Sequence, residues 1–138
     1  MRLSLILDTN VIISALLSSK SDSPVNLLIM KVLKGEFRIL VTEEILAEYA
    51  EVLSRPKFNF SPQKISEFLA FFESEAIFTE TFDTHFNLPD PDDLIFFEAL
   101  VSERGADTFL VTGNQKHFPD WPQIVTPRQI IDYLAKYS

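Results

Sequence analysis

Residues 3–17 read LSLILDTNVIISALL, and the polar triplet in their middle decides the fold. Leu3 to Leu7 is a short, mostly apolar run, suited to a strand buried on both faces. Asp8-Thr9-Asn10 breaks the run, and Val11 to Leu17 resumes as an expected helix. A membrane span tolerates such a break poorly, and no small-residue cleavage site follows. The stretch therefore predicts a strand, a polar turn and a helix in a mature, soluble protein.

The same alternation continues outward. Ser23-Pro24 predicts a helix start, with Gly35 ending the helix just after Lys34. Phe37 to Val41 predicts a second strand. Thr42 opens a helix with Glu43 and Glu44 in its first turn, and Pro56 stops it near Ser54. Ser61-Pro62 repeats the cap-and-proline signal for a helix to about Ser74. Ala76 to Phe82 predicts a weak third strand, and Asp90-Pro91 begins a helix that Gly105 ends. Thr108 to Thr112 predicts a fourth strand, Ile124-Val125 a short fifth, and Thr126-Pro127 the last helix. Alternating strands and helices imply α/β architecture: a three-layer αβα sandwich on a mainly parallel sheet of about five strands. No repeat, low-complexity tract or linker divides the chain, so one domain over residues 1–138 is expected.

Composition narrows the function. The 138 residues carry 12 Lys+Arg against 20 Asp+Glu, a formal net charge of −8. That argues against attachment to nucleic acid by a broadly basic surface. It does not exclude an enzyme whose bound metal offsets local charge. The absence of cysteine excludes disulfides, thiolate zinc sites and a cysteine nucleophile, and fits a cytoplasmic protein. Three glycines cannot complete a dinucleotide or P-loop pattern, and no GxSxG elbow is present.

The acids are the chemistry-bearing residues. Asp8 follows the first strand, at the sheet edge where open α/β folds bind ligands; alternatively, Asp8 or Asn10 only caps the following helix. Glu48 falls roughly 40° from Val52 and roughly 60° from Ile45 on a helical wheel, so it borders the buried stripe. Glu44 and Glu51 belong to the outer, solvated side. Asp93 projects onto the apolar stripe of Leu94, Phe96, Phe97, Leu100 and Val101, where an unpartnered carboxylate is costly. The bland alternative is a capping box with Asp90 as N-cap. Asp92 projects elsewhere and is expected to be solvated. Asn114 follows the fourth strand, where Thr112-Gly113-Asn114 alternatively forms only a turn. Separate segments thus converge on one expected sheet edge, and their hard oxygen donors suit Mg²⁺ or Mn²⁺.

Four segments carry a resemblance: LILDTNVIISALL (5–17), TEEILAEYAEVLSRPKF (42–58), DPDDLIFFEAL (90–100) and LVTGNQKHFP (110–119). In order and spacing they resemble the PIN domain, a family of metal-dependent ribonucleases. They look most like its bacterial branch of toxin components, related to VapC toxins. The resemblance implies an acidic metal site in which Asp8, Glu48 and Asp93 match the first three family acids. Asn10 matches the polar residue after the first acid, and Thr112 the hydroxyl residue of the last motif. Asn114 stands where a fourth acid often follows, and Leu94 where the branch often has Asn. Asp90 or Asp92 is then a candidate to supply the missing metal ligand. The implied reaction is hydrolysis of RNA phosphodiesters, with Mg²⁺ or Mn²⁺ activating water and no covalent enzyme intermediate.

Lys116 and Arg55 are the leading candidates to bind substrate phosphates, with Lys20, Lys57 and His117 in adjoining segments. Ten of the 13 phenylalanines fall between Phe58 and Phe97, which favours a core or protein-contact role over base stacking. Phe68, Phe71 and Phe72, with Ile65 and Leu69, form a stretch suited to an antitoxin helix or to a second copy in a homodimer. Two other readings compete. One is a PIN fold that binds RNA or protein without cutting. The other is a phosphatase with Asp8 as nucleophile, which normally wants an acid where Asn10 stands. Five acids (Asp8, Glu48, Asp90, Asp92 and Asp93) crowd the expected site. Two divalent ions would bring the formal −8 to about −4, so the pocket is expected to accept phosphate only with metal bound.

Overall fold

The computed structural model describes residues 2–18, 22–81, 83–103, 105 and 107–137. The expected loop at Ser18 to Asp22 and the end of the expected third strand at Phe82 fall partly outside them, as does Lys20.

The first strand, β1 (Leu3–Leu7), is buried at every position. A strand reaches that state only when both faces of its sheet are covered. Helix α1 (Thr9–Leu17) begins directly after Asp8, and α2 (Pro24–Leu33) returns the chain to β2 (Phe37–Val41). Helices α3 (Glu43–Leu53) and α4 (Pro62–Glu75) lead to a two-residue strand, β3 (Ile77–Phe78). Then come α5 (Leu94–Ser102), β4 (Thr108–Val111), β5 (Ile124–Val125) and α6 (Pro127–Tyr137). The sheet order is β3-β2-β1-β4-β5, and all four pairings are parallel. This bears out the α/β sandwich, with a sheet wholly parallel rather than mainly so. β3 is shorter than the expected Ala76 to Phe82.

The caps explain where the helices start. Ser23 accepts from the Asn26 amide, Thr42 from Ile45 and Ser61 from Lys64. At α6 the cap is reciprocal: Thr126 accepts from the Gln129 amide, and the Gln129 side chain accepts from the Thr126 amide. Gly35 has φ +77°, the left-handed geometry that stops α2.

Helix α5 starts later than expected. Asp90 Oδ1 accepts from the Asp92 amide at 3.0 Å, and the Asp93 amide donates to the Asp90 carbonyl at 3.1 Å. These bonds wind residues 91–93 into a 3₁₀ turn before the α-helix begins at Leu94. Asp90 therefore caps the turn as the bland alternative has it, with Asp93 its third residue, but no reciprocal capping box forms, since the Asp93 carboxylate meets His117 instead.

The two layers are held differently. Helices α1 and α2 pack together and α2 meets α6. Helices α3, α4 and α5 share an aromatic cluster in which Tyr49 lies 5.3 Å from Phe72 and 6.4 Å from Phe96, centroid to centroid. Tyr49 is fully buried, and its hydroxyl donates to the Leu7 carbonyl at the carboxyl end of β1. Tyr49→Phe leaves that carbonyl short of a donor in a dry setting, so we expect a loss of about 1–2 kcal/mol in urea unfolding. An unchanged unfolding midpoint would show that the bond contributes nothing.

Candidate metal centre

The sheet reverses direction of growth between β1 and β4: the chain leaves β1 for β2 and later returns to β1's other side. Ligands of open α/β sheets sit outside the carboxyl ends of the strands at such a point. Asp8 follows β1 and Thr112 follows β4. The parallel register pairs Leu7 with Val111, which sets the two residues side by side.

Asp8 is 4% exposed. It occupies the N-cap position of α1 but makes no side-chain capping bond. Instead its Oδ2 accepts from the Thr112 hydroxyl at 2.7 Å. Thr112 Oγ1 in turn accepts from the Asn114 amide at 3.0 Å. Asn10, inside α1, accepts from the Gly113 amide at 3.2 Å. The loop after β4 is thus tied twice to the start of α1. Burial raises the Asp8 pKa to about 6, and the nearby Asp93 charge pushes the same way. The Thr112 hydroxyl and the amides of Asn10 and Thr9 pull it down, without overcoming burial. No Lys or Arg among the described residues pairs with Asp8.

Asp93 is half-buried, and its Oδ2 lies 3.1 Å from His117 Nδ1. Burial raises its pKa; the His117 contact opposes the rise, and Asp90 and Asp92 add to it. Glu48 is half-buried on α3, beside the buried residues Ile45, Tyr49 and Val52. Its pKa is raised by burial first, then by Glu51, Asp92 and Asp8, with Arg55 opposing. Glu48, Asp8 and Asp93 thus belong to one electrostatic neighbourhood. Asp92 is exposed as expected, yet its charge reaches Glu48 and Asp93. Asp90, Asp93 and His117 each offer a ligand atom within 4.8 Å of the others'.

The remaining candidates lie further out. Asn114 is exposed and contributes its backbone amide; its side chain takes no hydrogen bond among the described residues. Arg55 forks onto Glu51, with Nη2 2.8 Å from Oε2, while sensing Glu48 and Asp92. Lys116 is exposed on the 3₁₀ turn Gln115–His117, and Lys57 is exposed with its ammonium 5.1 Å from the Phe58 ring centroid. Sequence reasoning had His117 as a phosphate contact or turn residue and missed it as the partner of Asp93. It also missed the Tyr49 anchor, whose signal is a hydroxyl placed within an apolar stripe.

Among the described residues, the group within ligand distance is Asp90, Asp93 and His117, two carboxylates and an imidazole that could hold a divalent cation. Asp8 and Glu48 are not part of it, and Asp8 has no cationic side-chain partner among the described residues. Among the described residues no helix is long and apolar enough to cross a membrane. The sequence pattern that defines the PIN domain matches residues 4–116. No curated protein matches the chain.

Proposed function

The chain belongs to the PIN-domain family of metal-dependent nucleases, and from that premise we propose that it is a Mg²⁺- or Mn²⁺-dependent endoribonuclease, a single domain over residues 1–138. The observation that carries the reading is a buried Asp8, unpaired by any cationic side chain among the described residues and electrically coupled to Asp93 and Glu48, at the sheet's switch point.

Asp8 and Asp93 would hold the ion, with Glu48 and Asp90 beside them. A bound divalent ion lowers the pKa of a coordinated water and neutralises phosphate charge. The Thr112 hydroxyl orients Asp8 by occupying Oδ2. Asn10 holds the Gly113 amide, which fixes the loop after β4 against α1. Arg55 and Lys116 are the cations offered to the phosphates of an incoming strand, Arg55 by exchanging Glu51 for phosphate. No residue of the chain need form a covalent bond to phosphorus.

We further place the protein in the cytoplasm as the toxin of a toxin–antitoxin pair. The support is a groove of about 550 Å³ between α3 and α4, floored by Leu46, Leu69 and Phe78 and edged by Glu43 and Glu73. No Lys or Arg is among its described lining residues. That surface suits a basic amphipathic helix of an antitoxin, and its like charges disfavour a second copy there. For a homodimer the better support is the outer side of α1 and α2, where Leu17, Met30 and Leu33 are each about half exposed.

The test is purified protein with end-labelled single-stranded RNA in Mg²⁺, Mn²⁺ or EDTA. The expected result is cleavage in metal and none in EDTA or with Asp93→Asn. RNA retention without cleavage in either metal would overturn the proposal in favour of a binding-only PIN fold. A covalent acyl-phosphate on Asp8 would overturn it in favour of a phosphatase.

A further inference from the structure

We propose that His117 is the positioning residue of the site: by donating from Nδ1 to Asp93 Oδ2, it sets the carboxylate that receives the metal. The inference rests on the reading of Asp8 and Asp93 as metal ligands.

Asp93 needs an external restraint. It stands at the junction of a 3₁₀ turn and α5, makes no capping bond, and receives no other hydrogen bond from a described side chain. A carboxylate there rotates freely about its Cβ–Cγ bond unless something occupies one oxygen. His117 does so at 3.1 Å, and its own backbone is fixed. Its amide donates to the Asn114 carbonyl at 2.9 Å, within the 3₁₀ turn that follows β4. The following Phe118 is buried and anchors the turn's end in the core.

The same loop holds the other acid. Thr112 occupies Asp8 Oδ2, and five residues later His117 occupies Asp93 Oδ2. One short segment after β4 thus engages one oxygen of each carboxylate and leaves the other oxygen free of described side-chain donors. In metal sites, partners that orient a ligating carboxylate typically contribute about 10- to 100-fold in metal affinity.

The alternative role for His117 is direct ligation or a phosphate contact through Nε2. Two amide substitutions separate the roles. Asn carries its N–H on Cγ, in the place of Nδ1; Gln carries it one carbon further out, nearer the place of Nε2. The experiment measures Mn²⁺ binding to the full chain by calorimetry for the wild type, His117→Ala, His117→Asn and His117→Gln, with circular dichroism confirming the fold. Asp8→Asn serves as the control that removes the site. The expected result is Mn²⁺ binding about 10- to 100-fold weaker in His117→Ala and in His117→Gln, with His117→Asn close to wild type. Wild-type affinity in His117→Ala, or rescue by Gln and not by Asn, overturns the positioning role while leaving the metal site standing. A wild-type protein that binds no Mn²⁺ overturns the metal site itself and the role of His117 with it.

Discussion

The Asp8→Asn variant is expected to lose metal-dependent cleavage by about 10³-fold or more, the scale of several kcal/mol of metal-borne stabilisation, and yet to be the more stable protein when metal is absent. The second half follows from linkage. Asp8 has an ordinary unfolded-state pKa near 3.8 and a folded-state value of about 6. The native state therefore holds the proton more tightly than the unfolded chain. Below pH 4 both states are protonated and Asp8 contributes no difference. Between pH 4 and 6 the native state binds more protons, so stability falls as pH rises. Above pH 6 the full penalty of a buried carboxylate is present, about 3 kcal/mol for a shift of that size. Asn keeps an oxygen for the Thr112 hydroxyl and removes the charge; its N–H groups face the start of α1 and offset part of the gain. Thermal unfolding of the metal-free proteins should show the variant ahead by the most above pH 6 and the two converging near pH 4. Equal stabilities at pH 8 would mean that the carboxylate is better compensated than its surroundings indicate. Adding Mn²⁺ should stabilise the wild type and leave the variant unmoved.

The second large effect is non-additivity at Asp93. Asp93→Asn is expected to abolish cleavage about as far as Asp8→Asn does. The double variant should be no worse than either, because both carboxylates serve one shared ion. Single-turnover rates on one RNA substrate measure this. Losses that multiply would place the two acids in separate roles. The same substitution should lower the Asp8 pKa in the metal-free protein, since the Asp93 charge is one of the influences that raise it. The pH at which metal-free stability falls should shift downward accordingly.

Much of this was legible along the chain. Ser23, Thr42, Ser61 and Thr126 announce their helices by local chemistry, and each cap is made as read. The mostly apolar strand β1 announces a sheet covered on both faces, and every residue of it is buried. Glu48 beside a buried stripe and Asp93 at the head of one are period arguments, and both residues are half-buried. What sequence could not supply is tertiary. Thr112 meets Asp8 across 104 residues because β4 pairs with β1 in one register, and no local pattern encodes that register. His117 meets Asp93 for the same reason, through a turn whose direction depends on where β4 ends. The late start of α5 comes from the Asp90 side chain competing for the Asp92 amide, a choice that helix periodicity does not resolve. Asn114 stands at the place of a fourth acid, and its backbone amide bonds Thr112, a contact that its residue type does not announce.

The net charge of −8 now has an internal distribution. One part surrounds Asp8, where burial makes metal the natural counter-charge. Another edges the α3–α4 groove, where Glu43 and Glu73 face solvent.

The most direct test of the central claim uses a covalently closed circular RNA, which offers no end to an exonuclease or to a phosphatase. Incubated with the purified protein in Mn²⁺ or Mg²⁺, the circle should open to a linear product, and EDTA or Asp8→Asn should prevent it. A circle that stays intact in both metals, with protein that is folded and binds Mn²⁺, would contradict the account.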